Sequence, residues 1–233
     1  LLARNPKLVY GRITGYGQDG PLAKTPGHDI NYIAMSGVLS ALAREGERPL
    51  APINLLGDYG GGGMLVAFGV LGALLHAQRT GEGQVVDAAM VDGVAQLATI
   101  VFSFSQAGSW GRAGTNVLDG GAHFYDVYET SDGLFFAVGA IEPQFYSELI
   151  RLLGLSPEDA PQWDRSRWGE LTERIAGIFL TKTREEWIWV FEGTDACATP
   201  VLGLEEAARH PHNVARKSFG QRSDGLLPVS APR

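Results

Sequence analysis

A glycine-rich stretch at residues 108–121, which holds five glycines, separates two parts of the chain with different hydrophobic patterns. Before it, the β-branched run KLVYGRIT at residues 7–14 leads into glycines, the pattern of a strand that ends in a loop. After it, β-rich runs at residues 124–129 and 134–139 flank the turn sequence TSDG, which predicts a hairpin. The stretch is therefore interpreted as a linker between two domains.

The first part alternates between strand and helix signals, which is typical of α/β proteins. Apolar residues at helical spacing predict a helix over residues 29–42. A loop is predicted at residues 54–63, followed by a buried helix over residues 64–78. Residues 85–105 predict a short strand that merges into a long, mostly buried helix. In such proteins, strand ends followed by glycines are where ligands bind.

The second part predicts helices after the hairpin, at about residues 144–153, 168–180 and 184–192. Together the two patterns indicate an α/β fold class with a second, smaller α+β domain. The predicted organisation is a partial large α/β domain at residues 1–106, a linker at 107–120, the small α+β domain at 121–209 and a last segment at 210–233.

The composition of the chain argues against several classes of partner. The 26 acidic residues outnumber the 19 basic ones, and the net charge of −7 argues against a nucleic-acid-binding surface. The single Cys197 cannot form an internal disulfide, so a reducing, cytoplasmic location is expected. The longest apolar stretch, residues 64–77, is interrupted by glycines and shorter than the about 20 residues of a membrane span, so no membrane partner is expected. The sequence opens at Leu1 without an initiator Met, and we expect it to be a part of a longer protein.

Familiar catalytic and metal-binding motifs are missing from the sequence. The glycines at residues 60–63 are not followed by Gly-Lys-Ser/Thr, so they do not form a P-loop, and no Gly-x-Ser-x-Gly motif occurs. His210 and His212 could be a metal pair, but no nearby Cys or carboxylate cluster completes a site. We therefore predict no metal site.

Three titratable residues lie where predicted loops meet helices, and each also has a purely structural interpretation. His28 precedes a predicted helix and could be an ordinary buried or surface histidine. Asp58 could be an N-cap that accepts backbone N–H bonds at a helix start. Glu142 precedes Pro143 and could be an acid that complements a helix dipole. The local sequence alone does not decide between structure and function at these positions.

Five segments, taken in order along the chain, carry a resemblance to a known family. They are RITGYGQDGP at residues 12–21, GHDINY at 27–32, NLLGDYGGG at 54–62, GQVVDAAMVDG at 83–93 and VGAIEPQF at 138–145. With them the chain resembles the α-methylacyl-CoA racemases of the family III CoA-transferase superfamily. The resemblance implies the remainder of a Rossmann-like large domain joined to a small α+β domain, with the segment at 210–233 returning towards the large domain. It also implies an acyl-CoA thioester as substrate, with CoA as part of that substrate and no separate cofactor, and an interlocked homodimer. Because the family fold includes parts that this sequence lacks, we expect it to be inactive alone.

The resemblance also implies roles for individual residues. It places His28 and Asp58 on opposite sides of the substrate α-carbon, with Glu142 beside the histidine. Two residues of the small domain, Tyr125 and Ile141, are implied in the acyl pocket. Further substrate-binding residues are implied in the matching loops, namely Asp29, Tyr32, Asn54 and Gly57.

The implied reaction is racemisation of 2-methyl-branched acyl-CoA by 1,1-proton transfer through an enolate. Inversion needs a base on one face and a protonated acid on the other, and His28 and Asp58 can exchange these roles. Backbone N–H groups at a helix start could stabilise the enolate oxygen. Two alternatives stay open: a CoA-transferase in which Asp58 is the nucleophile of a mixed anhydride, and a non-catalytic CoA-binding module.

Overall fold

The computed structural model of the chain describes residues 1–223 and 225–229 and consists of two compact units, Leu1–Ala122 and His123–Arg233. Both units combine helices with sheet, which confirms the predicted α/β class. The exact bounds of the linker at 107–120 and of the small domain stay predictions. Residue 224 and residues 230–233 of the predicted return segment lie outside the described residues.

A parallel strand pair organises the first unit. Strand β1 (Tyr10–Thr14) pairs with β2 (Val85–Ala89), with Tyr10 opposite Val85 and Thr14 opposite Ala89. Parallel neighbours need a long crossover connection, and this one contains helix α1 (Asp29–Met35), a 3₁₀ turn (Val38–Ala41) and the long helix α2 (Leu65–Thr80). The helix predicted over residues 29–42 is shorter than expected. It ends at Met35, because Gly37 adopts a left-handed φ of 85° that stops the helix.

The predicted loop at residues 54–63 is wrong, because these residues are helical. Leu55–Met64 forms a π-helix that runs directly into α2. Helix α3 (Met90–Leu97) crosses the π-helix so closely that a Cβ on Gly93 would lie 2.1 Å from the Gly61 carbonyl oxygen. The glycines thus serve a close helix crossing, which overrides their weak helix propensity.

Two helices of the first unit are far more exposed than predicted. Within the described chain, only Ala73 and Ala77 of α2 are buried, and no residue of α4 (Thr99–Gln106) is. The segment Leu55–Thr80 is long and apolar enough to cross a membrane, with 22% of its most apolar window buried. Length and composition alone are weak evidence for a membrane span.

The second unit is built on an antiparallel sheet in the order β3 (Tyr125–Glu129), β4 (Phe135–Gly139) and β5 (Ala198–Pro200). The hairpin and the three helices that follow it are confirmed as α5 (Pro143–Leu152), α6 (Trp168–Phe179) and α7 (Arg184–Phe191). The unpredicted elements are β5, α8 (Leu204–Arg209), α9 (Pro211–Ala215), β6 (Phe219–Arg222) and β7 (Gly225–Pro228).

The core of the second unit is aromatic. Phe136 of β4 and Phe179 of α6 have no exposed surface, and their rings stack with centroids 5.8 Å apart. Trp187 of α7 packs on Phe179 at 4.9 Å and donates its indole N–H to the Phe179 carbonyl oxygen at 2.8 Å. This core fixes α6 and α7 to one face of the sheet.

Candidate functional site

The candidate site of the first unit begins at His28, which is the N-cap of α1. Its backbone is extended, with φ −129° and ψ 176°, and its N–H donates to the Asn31 side-chain oxygen at 3.0 Å. No hydrogen bond from the described residues holds the imidazole as a helix cap. The imidazole belongs to an exposed residue and is therefore accessible to a ligand.

Asp58 lies in the first turn of the π-helix, so the interpretation of Asp58 as the N-cap is wrong; Asn54 occupies that position. The Asn54 side-chain amide donates to the Asp58 carboxylate at 3.1 Å instead of capping the helix. Asp58 is half-buried, and Asn54 is exposed. The carboxylate is thus held by a neighbour four residues before it while part of it stays accessible.

Asp29 connects the His28 loop to the π-helix. Its Oδ2 atom accepts hydrogen bonds from the backbone N–H groups of Gly57 at 2.6 Å and Asp58 at 2.8 Å. Because Asp29 directly follows His28 in the chain, these bonds bring the His28 and Asp58 segments together. The two residues named as acid and base therefore lie on neighbouring elements of one unit.

Tyr32 packs beside the same two segments. Its hydroxyl donates to the Gly27 carbonyl oxygen, directly before His28. Burial, and then the neighbouring Tyr16 and Asp58, raise the pKa of Tyr32. A Cβ on Gly15 would lie 2.1 Å from the Tyr32 ring, so the glycine after β1 makes room for the ring. Tyr32 thus stabilises the loop that presents His28.

The other three predicted residues lie together in the second unit. Tyr125 begins β3 opposite Gly139, the last residue of β4, and Ile141 and Glu142 follow that strand end. Tyr125 and Ile141 are half-buried, and exposed Glu142 is the N-cap of α5. Burial raises the pKa of the Cys197 thiol, and the negative charges of Glu142 and Asp195 raise it further. One end of the sheet therefore carries all three residues.

The prediction about free N–H groups at the helix starts needs a correction. Two of the N–H groups in the first turn of the π-helix, those of Gly57 and Asp58, already donate to Asp29. They are therefore not open donors for an enolate oxygen in this structure. The link was invisible in the sequence because Asp29 lies 28 residues before Gly57 and no local pattern connects them.

A buried histidine in the second unit was not singled out by the sequence. His123 has no exposed surface, and its Nε2 atom lies 2.7 Å from the Tyr146 hydroxyl, which donates to the Ala160 carbonyl oxygen at 2.8 Å. Since the tyrosine proton is used, Nε2 of a neutral His123 is the donor. Its Nδ1 atom is buried and has no hydrogen-bond partner among the described residues. Burial, and then the charge of Arg167, lower the pKa of His123 to about 4.

Side chains that could hold a metal ion do not cluster in residues 1–223 and 225–229, where no three His, Cys, Asp or Glu residues form such a group. The Nδ1 atom of His210 accepts a hydrogen bond from the His212 backbone N–H at 3.3 Å. This bond caps the N-terminus of α9, which is a structural role for the histidine pair.

Comparison with known proteins gives a consistent result. The model of the family described as CoA-transferase family III matches residues 1–233. A Mus musculus protein named alpha-methylacyl-CoA racemase is 51% identical over 221 residues, covering 94% of this chain and 58% of the mouse protein. A Caenorhabditis elegans protein named as a CaiB/baiF CoA-transferase family protein is 36% identical, covering 100% of this chain and 68% of that protein. The chain thus spans little more than half the length of the mouse relative.

Solved structures share the fold. The crystal structure of Rv3272 from Mycobacterium tuberculosis superposes with a TM-score of 0.77 and 24% sequence identity, covering 100% of this chain and 64% of that one. At this identity the likeness concerns the fold, and it agrees with the mixed helix and sheet architecture described above.

Proposed function

Because the chain belongs to CoA-transferase family III, we propose that its full-length protein is an isomerase that racemises 2-methyl-branched acyl-CoA thioesters at the α-carbon. The 51% identity to the mouse protein named alpha-methylacyl-CoA racemase supports this reaction over others in the family. Since the chain spans 58% of that relative, activity and substrate are proposed for the full-length protein.

One observation carries the proposal: Asp29 joins the two segments that bear His28 and Asp58. The Oδ2 atom of Asp29 binds the N–H of Asp58 at 2.8 Å, and His28 is the residue before Asp29. Inversion at carbon requires two proton-transferring groups at one centre, and this link supports a shared site for them.

The proposed chemistry moves one proton off and one proton on. Neutral His28 takes the α-hydrogen as a proton, the C–H electron pair enters the enolate, and a protonated Asp58 delivers a proton to the opposite face. The products are the inverted thioester, a cationic His28 and an ionised Asp58. The reverse reaction uses the same groups with their roles exchanged.

The residues of the second unit complete the proposal. We propose Glu142 as a further catalytic carboxylate, of the kind that orients catalytic histidines and stabilises their cations. Tyr125 and Ile141 are proposed to line the acyl pocket, since both are half-buried at the sheet end that carries Glu142. In the first unit, Tyr32, Asn54 and Gly57 are proposed to bound the thioester site.

A homodimer is part of the proposal, and the apolar stripe of α2 supports it. Met64, Phe68, Leu71 and Leu75 are spaced to lie along one side of the helix, and each is at least half exposed. Soluble proteins rarely leave contiguous apolar surface of this kind uncovered. We propose that a second copy covers the stripe in the full-length protein.

Hydrogen exchange at the α-carbon tests the proposed reaction. The full-length protein is incubated in D₂O with a 2-methylacyl-CoA and no acceptor acid, and deuterium at the α-carbon is followed by mass spectrometry. A racemase incorporates deuterium and inverts the centre. A CoA-transferase that uses Asp58 as nucleophile needs an acceptor acid, so absence of exchange together with acid-dependent CoA transfer would overturn the proposal.

Substitution of the proposed acid and base tests the assignment. His28→Ala and Asp58→Asn should each lower the exchange rate by about 10²–10⁴-fold, the usual contribution of a general acid or base. Exposed residues of the same types provide matched controls, His76→Ala and Asp19→Asn, which should exchange at the wild-type rate. Wild-type exchange in both site variants, with acyl-CoA binding intact, would reject the acid-base pair and favour a binding module.

A further inference from the structure

We infer that Asp29 is a positioning residue that fixes the proposed acid, Asp58, relative to the proposed base, His28. The inference rests on the proposed function and deepens it. It assigns Asp29 a task other than contact with substrate, because Asp29 Oδ2 is already bonded to two backbone N–H groups.

The π-helix explains why such a residue is needed. In a π-helix each N–H donates to a carbonyl five residues earlier, so the first turn has N–H groups without a partner inside the helix. Asn54 is at the N-cap, but its side chain does not cap the helix in the described structure and instead donates to Asp58. Asp29 supplies the missing acceptor from another element, at Gly57 and Asp58.

The surroundings of Asp29 show how tightly the link is built. Asp29 is only 6% exposed, and its second oxygen, Oδ1, is buried without a hydrogen-bond partner among the residues that the structure describes. The carboxylate is therefore held through Oδ2 alone. A Cβ on Gly57 would lie 2.6 Å from that oxygen, so only glycine lets the carboxylate approach the backbone so closely.

Asp29 is well placed to set the position of Asp58 relative to His28. One peptide bond separates it from His28, and one hydrogen bond separates it from the backbone of Asp58. The Asp58 carboxylate is further held by the Asn54 amide at 3.1 Å. Loss of the Asp29 acceptor would let the π-helix turn shift relative to His28, and a displacement of about 1 Å can cost about 10²-fold in rate.

The test compares variants of the full-length protein in the D₂O exchange assay. Asp29→Ala removes the acceptor, whereas Asp29→Asn keeps an oxygen that can accept both N–H bonds. Asp119→Ala is the matched control, because Asp119 also accepts two backbone N–H bonds, from Gly114 and Asn116 at 2.8 Å each, elsewhere in the same unit.

We expect Asp29→Ala to lower kcat by about 10²-fold with KM changed less than about threefold, since the residue positions Asp58 rather than binding substrate. Asp29→Asn should retain at least about a tenth of the wild-type kcat, and Asp119→Ala should keep wild-type kinetics. A wild-type kcat in Asp29→Ala would overturn the inference. A rise in KM of Asp29→Ala at unchanged kcat would also overturn it, because that result indicates substrate binding. The same would follow if Asp29→Asn lost as much kcat as Asp29→Ala, because that result indicates a role for the charge.

A second variant and a measurement of backbone amide exchange complete the test. If Asp29→Ala does not fold, Asp29→Glu takes its place, because the extra methylene displaces Asp58 while the carboxylate is kept, and the same loss of kcat is expected. Hydrogen–deuterium exchange of backbone amides in residues 55–64 needs no catalysis and should be faster in Asp29→Ala than in wild type or Asp119→Ala. Unchanged amide exchange would reject the link even if the wild-type protein proved not to be a racemase, and absent α-carbon exchange in wild type would reject the function alone.

Discussion

Acidification should destabilise the second unit through His123. This residue has no exposed surface, its Nε2–H is used by Tyr146, and its Nδ1 atom faces no partner within the described chain. A proton on Nδ1 would place a cation in an apolar environment, near the positive Arg167. The folded state therefore binds the second imidazole proton far more weakly than the unfolded chain does.

The size of the effect follows from the pKa of His123, which falls from 6.5 to about 4 in the folded protein. Because the folded pKa is the lower one, the unfolded state takes up the proton first as the pH falls. The stabilisation is complete above pH 6.5 and is lost progressively towards pH 4. The total loss is about 3 kcal/mol, at about 1.4 kcal/mol per pH unit, of which about 2 kcal/mol is already lost at pH 5.

The assay is urea unfolding of the full-length protein at pH 7.5 and pH 5, followed by tryptophan fluorescence. Trp168 and Trp187 are buried in the second unit and report on its core. His123→Gln is the comparison, since its amide can replace the Nε2 donor but does not titrate. Between the two pH values, wild type should lose about 2 kcal/mol more of its unfolding free energy than the variant. Equal losses in both proteins would refute the role of His123.

Two other substitutions test the first unit. Gly93→Ala should lower the free energy of unfolding by several kcal/mol, because the new Cβ would meet the Gly61 backbone. Gly72→Ala is the control, since no described atom lies within 4 Å of the new Cβ. Its better helix propensity should stabilise the protein by up to about 1 kcal/mol. If Gly93→Ala and Gly72→Ala changed the free energy of unfolding in urea equally, the close crossing of α3 and the π-helix would be contradicted. Phe68 of the apolar stripe is 78% exposed, and Phe68→Asp, which places a charge there, should convert a full-length dimer to monomer in light scattering. An intact dimer of unchanged stability would exclude this stripe from the interface.

The hairpin and helices α5 to α7 of the second unit were predictable because their signals are local. The sequence TSDG joins β3 and β4 as expected, and Trp168, Leu171, Ile175 and Phe179 repeat at helical spacing on the buried side of α6. Strand β5 escaped prediction because its three residues are too few for a periodic pattern. Its pairing with β4 depends on tertiary contact rather than on its own sequence.

The π-helix could not be predicted because its stabilising contacts are distant in sequence. Its glycines disfavour helix in isolation, yet they permit the crossing at Gly93 and the approach of Asp29. The identity of the candidate site residues came from matching segments, whereas the bond between Asp29 and Asp58 became visible only in three dimensions. The exposure of α2 was missed for a related reason, since an apolar sequence does not reveal which element covers it.

The bond from Gly57 to Asp29 has a practical consequence for work on this protein. It joins two residues 28 positions apart in the sequence, so the two ends of the loop between them are held together. Gly46 is exposed and has a φ of 76°, and the hydrogen bond from Leu50 N–H to the Leu42 carbonyl oxygen at 2.7 Å closes the turn that contains it. Its neighbour Glu45 forms an ion pair with Arg112. A short tag or a fluorophore attachment point inserted after Gly46 would lie between the two segments of the candidate functional site in the sequence. The bond between Gly57 and Asp29 would keep the two ends of the loop joined.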